Sequence, residues 1–260
     1  MAGHSKWSTI RHKKAITDAK KSQIFSKLST QITLAAKKGG GDPDMNPNLR
    51  LYLDKAKSAG FPVDRIKKAI QKGTGEGKDE VAYEEAIYEG FGPSNIQILV
   101  DVITDNKNRT IADLRRLFEE IGGRMGESGS VAWNFDTKGL IVLRSGRMKK
   151  SDRFGHEDEY VPEDRQEVMM EIMDIEGVED INECDLDGVE GLEVYTQFSD
   201  LTKVRDGISK KGYVLEQADI IKEPRDTIQL TGSDLDKAQA GIERIEDHND
   251  VQSVWSNLEL

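Results

Sequence analysis

The sequence predicts an α+β multidomain protein: an N-terminal three-helix domain and two ferredoxin-like α+β domains, one inserted in the other. The first supporting observation is a reversal of charge. Residues 1–78 hold 17 Lys and Arg against 6 Asp and Glu, whereas residues 79–260 hold 20 against 42. The second is a change near residue 78 from helical periodicity to alternating strand and helix patterns. The third is a strand–helix–strand–strand–helix–strand series within residues 139–221, which is the order of a ferredoxin-like domain.

The chain opens with a basic arm and a long helix. Residues 1–14 contain no acid, and only Trp7 and Ile10 among them could anchor the arm to a core. From about Ala15 to Lys38 apolar residues recur at helical spacing, which predicts one buried stripe. Lys13, Lys20 and Lys27 are spaced by seven and therefore form a second, basic stripe on the same helix.

Two shorter helices complete the basic domain, which we assign to residues 1–78. Asn46 can cap the second helix, Pro47 suits its first turn, and Gly60 follows its last residue. The third helix is predicted over Pro62–Lys72, with Lys and Arg side chains on its outer surface. A glycine-rich linker follows at residues 73–77, where the charge changes sign.

The acidic remainder is predicted to contain two domains. Residues 139–221 form the inserted ferredoxin-like domain, and residues 79–138 and 222–260 together form a discontinuous α+β domain around it. The methionines Met169, Met170 and Met173 on the first helix of the insertion are expected to fill its core. The elements predicted for the discontinuous domain are the strands Ala86–Phe91, Ile96–Ile103, Val131–Phe135, Thr227–Leu230 and Val251–Leu258 and the helices Arg109–Ile121 and Asp234–Asp247.

Two segments are candidate nucleic-acid sites. Cations of the arm and first helix can neutralise phosphates and release counterions, while Trp7 could stack on a base or plug the helical core. The second is a polar loop at a helix N-terminus, where unpaired N–H groups attract anions, although a simple helix cap would explain part of it. The candidate residues are His4, Ser5, Lys6, Trp7, Arg11, His12, Lys13, Lys14, Lys20, Lys21, Lys27, Asn106, Lys107, Asn108, Arg109 and Thr110.

Patterns that would indicate an enzyme are weak. The only cysteine, Cys184, lies among acidic residues that disfavour its thiolate. The glycine-rich Gly122–Gly126 segment lacks the ending of a P-loop, and Asp185-Leu186-Asp187-Gly188 lacks the further ligands of a calcium loop. We therefore expect no catalytic residue, no metal site, no cofactor and no small-molecule substrate. No apolar run is long enough to span a bilayer, so the expected location is the cytoplasm and no membrane partner is expected.

Several short motifs are distributed along the chain. They are Ala2-Gly3-His4-Ser5-Lys6-Trp7, His12-Lys13-Lys14, Asp42-Pro43, Asn46-Pro47, Lys55-Ala56-Lys57, Tyr88-Glu89-Gly90-Phe91-Gly92-Pro93, Asp105-Asn106-Lys107-Asn108-Arg109-Thr110, Gly129-Ser130-Val131 and Val251-Gln252-Ser253-Val254-Trp255-Ser256-Asn257. These motifs resemble those of the YebC/PmpR family. The chain departs from the family pattern at Ser94-Asn95, where paired glycines are usual, and in a longer charged insertion around Arg147–Pro162.

The resemblance implies a three-domain protein and a partner that is a polyanion. The family is described as probable transcriptional regulators that bind DNA. Its mitochondrial relatives activate translation of cytochrome oxidase subunit I, and bacterial members are linked to stalled ribosomes. We expect a non-enzymatic regulator of gene expression that binds DNA through its basic N-terminal domain. A translation factor that binds ribosomal RNA and an acidic protein-interaction adaptor stay open as alternatives, as does the oligomeric state.

Overall fold

The structure is a computed structural model that describes residues 18–76, 82–149 and 159–259. The chain divides into two compact units. One contains the described parts of Ala15–Asp136 and Glu223–Leu260, and the other contains those of Thr137–Lys222. Helices come first and sheet-containing regions follow, so the predicted α+β class is confirmed. Within the described residues, no helix is long and apolar enough to cross a membrane.

Three helices begin the described chain: α1 (Asp18–Gly39), α2 (Pro47–Ser58) and α3 (Val63–Gly73). Their shared core contains Ile32, Leu49 and Phe61. Asn46 caps α2 as expected, because its Oδ1 accepts a hydrogen bond from the Leu49 amide at 3.1 Å. The same side chain donates to carbonyls of α1 and of the turn after it, so a single buried amide fixes how α2 leaves α1.

The same unit contains a four-stranded antiparallel sheet covered by helices on one face. The core between the sheet and the helices includes Ile98 and Val100 from the sheet and Leu114 from a covering helix. The neighbouring strands follow the order β10-β2-β1-β3. The elements are β1 (Glu84–Phe91), β2 (Gln97–Thr104), α4 (Lys107–Glu120), β3 (Arg124–Met125), α7 (Gly232–Glu246) and β10 (Val251–Ser256).

The predicted strand Val131–Phe135 is wrong. Ala132–Asn134 forms a short 3-10 turn, and the next long strand, β4 (Phe135–Lys149), starts at the end of the predicted segment. The cause is Glu89, whose buried carboxylate accepts the amides of Gly129, Val131 and Ala132 at 2.7–2.8 Å. Those amides are therefore unavailable to a strand partner. Burial raises the pKa of Glu89, but these three hydrogen bonds outweigh it and hold the pKa below its ordinary value.

The strand predicted over Thr227–Leu230 is much shorter in the structure. Only β9 (Ile228–Gln229) is present, and it pairs in parallel with the equally short β11 (Leu258–Glu259). The two strands form a separate small ladder instead of extending the four-stranded sheet. Asn257, at the residue between β10 and β11, binds the Gln97 amide through its side chain at 2.8 Å and so anchors this end of the chain.

The second unit contains the strand–helix series expected of a ferredoxin-like domain, together with one further strand, β5, that was not predicted. The long strand β4 pairs with β5 and β7, β7 pairs with β6, and β8 also pairs with β4. The expectation that all three methionines of its first helix fill the core is wrong, because Met170 is 65% exposed and Met173 is 48% exposed. The remaining elements are β5 (Glu159–Pro162), α5 (Arg165–Met173), β6 (Val178–Asp185), β7 (Glu190–Gln197), α6 (Leu201–Lys210) and β8 (Tyr213–Pro224).

Candidate nucleic-acid interface

Helix α3 carries a basic surface opposite its buried side. Ile66 and Ala69 face the core, and the helix contains a single acid, Asp64. Residues at positions i, i+3 and i+7 lie on one stripe of a helix, which places Arg65, Lys68 and Lys72 in a row. From the sequence we predicted only that Lys and Arg side chains lie on the outer surface of this helix, without identifying the row. The signal that could have identified it is the 65–68–72 spacing on a helix with one acid.

Three cations of α3, Arg65, Lys67 and Lys68, are exposed, and Lys72 is half-buried. Within the described residues, no carboxylate forms an ion pair with Arg65, Lys67 or Lys68. Lys72 lies with its Nζ 5.2 Å from the ring centroid of Tyr83, which is a cation–π contact and leaves the charge uncompensated. A row of uncompensated exposed cations on a rigid helix is suited to binding phosphate groups.

The predicted basic residues of α1 differ in their surroundings: two are exposed to solvent and one binds another helix. Lys20 and Lys21 are exposed near its start, and Lys21 also lies 5.8 Å from the Phe25 ring centroid. Lys27 instead donates from Nζ to the carbonyl oxygen of Glu246 at 2.7 Å. That carbonyl is at the C-terminal end of α7, where a cation also complements the helix dipole. Lys27 thus contributes to the attachment of α1 to α7.

Lysines from two different regions converge at the start of β1. Lys38 pairs with Glu85 and Lys107 pairs with Glu84, each at 2.5 Å. The hydrogen bond and charge of Lys107 lower the pKa of Glu84, and the charge of Lys37 lowers it further. The basic surface of the three helices therefore continues onto the sheet, and it includes Lys107 from the predicted polar loop.

The other residues of the polar loop mainly bind neighbouring groups of the loop itself and Asp250. The side chain of Asn106 caps α4 by accepting from the Arg109 amide at 3.1 Å. The Arg109 guanidinium donates to Asp105 at 2.9 Å and to Asp250 at 2.8 Å. Thr110 is buried and donates to Asp250 at 2.6 Å, while Asn108 is exposed. Of the five residues predicted in this loop, 106–110, three make contacts that support the local fold: Asn106, Arg109 and Thr110.

Asp250 is the centre of this loop network. Its carboxylate accepts hydrogen bonds from Arg109, Thr110 and Thr104. Burial raises the pKa of Asp250, but these donors outweigh the effect and hold the pKa below its ordinary value. The carboxylate therefore stays charged at neutral pH. It accepts a hydrogen bond from the Arg109 guanidinium, so a phosphate would have to displace it in order to bind that group.

The remaining predicted residues lie outside the described part of the chain. They are the arm residues His4, Ser5, Lys6, Trp7, Arg11, His12, Lys13 and Lys14, whose role stays a prediction. Among the described residues, no group of three or more His, Cys, Asp or Glu could hold a metal ion. Cys184 is buried, and this burial raises its pKa to about 12, so the thiol is protonated at neutral pH.

Comparison with known proteins covers almost the whole chain. Residues 5–76 match the family model described as TACO1/YebC protein N-terminal domain, and residues 83–258 match TACO1/YebC second and third domain. A protein of Dictyoglomus turgidum is 41% identical and one of Geotalea uraniireducens is 43% identical, each over 100% of this chain and 96% of the relative. Both carry the name "Probable transcriptional regulatory protein".

A solved structure has the same fold. It is the crystal structure of the conserved hypothetical protein Aq1575 from Aquifex aeolicus, which superposes with a TM-score of 0.80. The two chains are 33% identical, and the match covers 98% of this chain and 97% of the other. Full-length identity, the two family matches and the common fold agree, and the chain belongs to the TACO1/YebC family.

Proposed function

We propose that this protein is a non-enzymatic regulator of gene expression in the cytoplasm that binds DNA through its basic N-terminal domain. The observation that carries the proposal is a set of exposed cations on α1 and α3 that have no carboxylate partner within the described part of the chain, such as Lys20, Arg65 and Lys68. The names of the relatives, which describe probable transcriptional regulatory proteins, support the same role.

The chemistry favours recognition of the phosphate backbone over reading of bases. Lysine and arginine side chains that neutralise phosphates bind any sequence, and the release of counterions supplies much of the affinity. The exposed face of α3 carries mainly positive charge, and Gln71 is the one side chain of this helix of the type that reads adenine. Sequence preference would then come from the shape of the DNA or from a protein partner.

A second candidate is a translation factor that binds ribosomal RNA and acts on stalled or specific translation. The observation that favours it is the acidity of the rest of the chain, where residues 79–260 hold 42 acids against 20 bases. A free duplex would repel this part of the protein, whereas a ribosome also presents basic protein surfaces. An acidic adaptor that binds a basic protein is the third candidate.

Binding of duplex DNA and of ribosomes across a salt series tests these candidates. The intact chain and a chain that lacks residues 1–14 are compared at the same protein concentrations. We expect a steep fall of the binding constant with salt for the intact chain and a shallower fall for the shortened one, because each lost phosphate contact lowers the slope by about 0.9.

The outcomes separate the candidates. Tight, saturable ribosome binding with only weak DNA binding would replace the transcriptional role with the translational one. Binding that does not change with salt, or no binding to either polyanion, would contradict both. If a variant without the cations of α3 still bound a basic protein, that result would support the third candidate, an acidic adaptor.

A further inference from the structure

We propose that a phosphate-binding track runs along α3 and across the start of β1, and that it binds the backbone of a double-stranded nucleic acid. Its members are Arg65, Lys68, Lys72, Lys37, Lys38 and Lys107. This inference rests on the proposed function and specifies the surface that performs it. It also assigns a role to Lys107 that differs from that of the loop around it.

The α3 part of the track matches the spacing of a nucleic-acid backbone. Arg65 and Lys72 are seven residues apart, so at 1.5 Å per residue the row is about 10 Å long. Phosphates of one strand of B-DNA follow each other every ~3.4 Å along the duplex axis, so about three of them lie along this row. Long Lys and Arg side chains on a row of this length can therefore reach several phosphates of one strand.

The second part of the track starts where α3 ends. The backbone of Gly73 packs against the carbonyl of Thr33 and the amide of Lys37, so the end of α3 lies directly against α1. Lys72 covers Tyr83, and the next two residues along the chain, Glu84 and Glu85, pair with Lys107 and Lys38. The cations of α3, α1 and the sheet are therefore parts of one continuous surface.

Two glutamates face three lysines at the start of β1. The ion pairs Lys38–Glu85 and Lys107–Glu84 are exposed, with about half of each side chain accessible to solvent. Exposed pairs of this kind contribute little to stability, because solvent screens both charges. Lys37 affects the pKa of Glu84 but has no carboxylate within ion-pair distance among the described residues. A phosphate can therefore bind Lys37 and displace the glutamates from the other two lysines at small cost.

The first test removes the α3 row by the substitutions R65Q, K68Q and K72Q in one full-length chain. The matched control is K203Q, K210Q and K222Q, which changes the net charge equally in the inserted unit. We measure binding to a duplex DNA and to a double-stranded RNA of the same length across a salt series. For the α3 variant we expect the salt slope to fall by about 2 to 3 and affinity to drop more than about tenfold.

The control distinguishes a local surface from net charge. We expect it to change the affinity less than about twofold, and circular dichroism should show both variants folded. Equal losses in the two variants, or an unchanged slope in the α3 variant, would overturn the track. The proposed function would survive that result, because the intact chain would still bind, whereas no binding by the intact chain would remove both. The DNA and RNA probes show which backbone is preferred.

The second test addresses the glutamates. Replacing them by E84Q and E85Q should strengthen binding by about two- to fivefold, since the lysines no longer exchange one anion for another. The matched control E119Q and E243Q removes two charges from exposed sites on α4 and α7, where we expect a smaller gain. A gain no larger than that of the control would overturn the part of the track at β1.

Discussion

Residues 18–76 and the inserted unit, residues 137–222, contain the same number of Lys and Arg, 12 each, but use them differently. The first segment holds 6 acids and the second holds 21. In the inserted unit, Arg144, Arg147 and Arg165 all pair with glutamates. On α3, Arg65 has no such partner among the described residues. The supply of nearby carboxylates, more than the number of cations, therefore decides which surface can bind a polyanion.

The pairing in the inserted unit forms part of its structure. The Arg147 guanidinium donates to the carboxylate of Glu171 and to the hydroxyl of Tyr213. The hydroxyl of Tyr213 and the ammonium of Lys211 also donate to Glu171, and these bonds lower its pKa. Burial is the main reason that the pKa of Tyr213 rises to about 12. Arg147 is therefore a link between β4, α5 and β8.

The largest expected effect is on stability and comes from Arg147. The substitution R147M should lower the free energy of unfolding by about 2–3 kcal/mol, because Glu171 and Tyr213 each lose a charge-assisted hydrogen bond, while Lys211 continues to pair with Glu171. Urea unfolding of the full-length protein measures it. The matched control is R65M on α3, where we expect a change within about 0.5 kcal/mol. Comparable losses at both positions would contradict the distinction between structural and free cations.

A somewhat smaller effect is expected at Asp250, which holds the polar loop. D250A removes the shared acceptor of Arg109, Thr110 and Thr104 and should cost about 2 kcal/mol of unfolding free energy. The same measurement on N108A, which changes an exposed side chain of the loop, should give less than about 0.5 kcal/mol. If N108A weakened duplex binding while the protein stayed folded, the loop would be an anion site in its own right.

The smallest effect should distinguish two lysines of one helix. K27M removes the bond to the Glu246 carbonyl and should cost about 1 kcal/mol of unfolding free energy without changing the salt slope of nucleic-acid binding. K20M should leave stability unchanged and lower the slope by about 1. If K27M lowered the salt slope and K20M lowered the unfolding free energy, the bond of Lys27 to α7 would not be its main role.

Local signals in the sequence were sufficient to predict the helices and their ends. Asn46, Pro47 and Gly60 mark the ends of α2, and all three act as expected, with Gly60 in the left-handed region at a φ of +69°. Caps and turns depend on neighbours in the chain, so a sequence pattern contains the information. Both helices and four of the five described strands of the inserted unit were predictable for the same reason, but β5 was not.

Long-range polar contacts could not be predicted. The strand expected at Val131–Phe135 is replaced by a turn because Glu89, more than 40 residues earlier, binds its amides. Lys27 and Arg109 had the pattern of nucleic-acid contacts, yet their partners Glu246 and Asp250 lie far along the chain. Charge and spacing identify candidate residues, but the three-dimensional position of acceptors decides which of them remain available.

Chemical modification of lysines in the wild-type protein measures which of them a bound duplex covers. The protein is treated with an amine-acylating reagent in the absence and presence of a saturating duplex, and mass spectrometry reports the modification of each lysine. We expect Lys37, Lys68 and Lys72 of the track to become protected, whereas the inserted-unit lysines Lys203, Lys210 and Lys222 do not change. Protection confined to the inserted unit, or equal in both sets, would contradict the track.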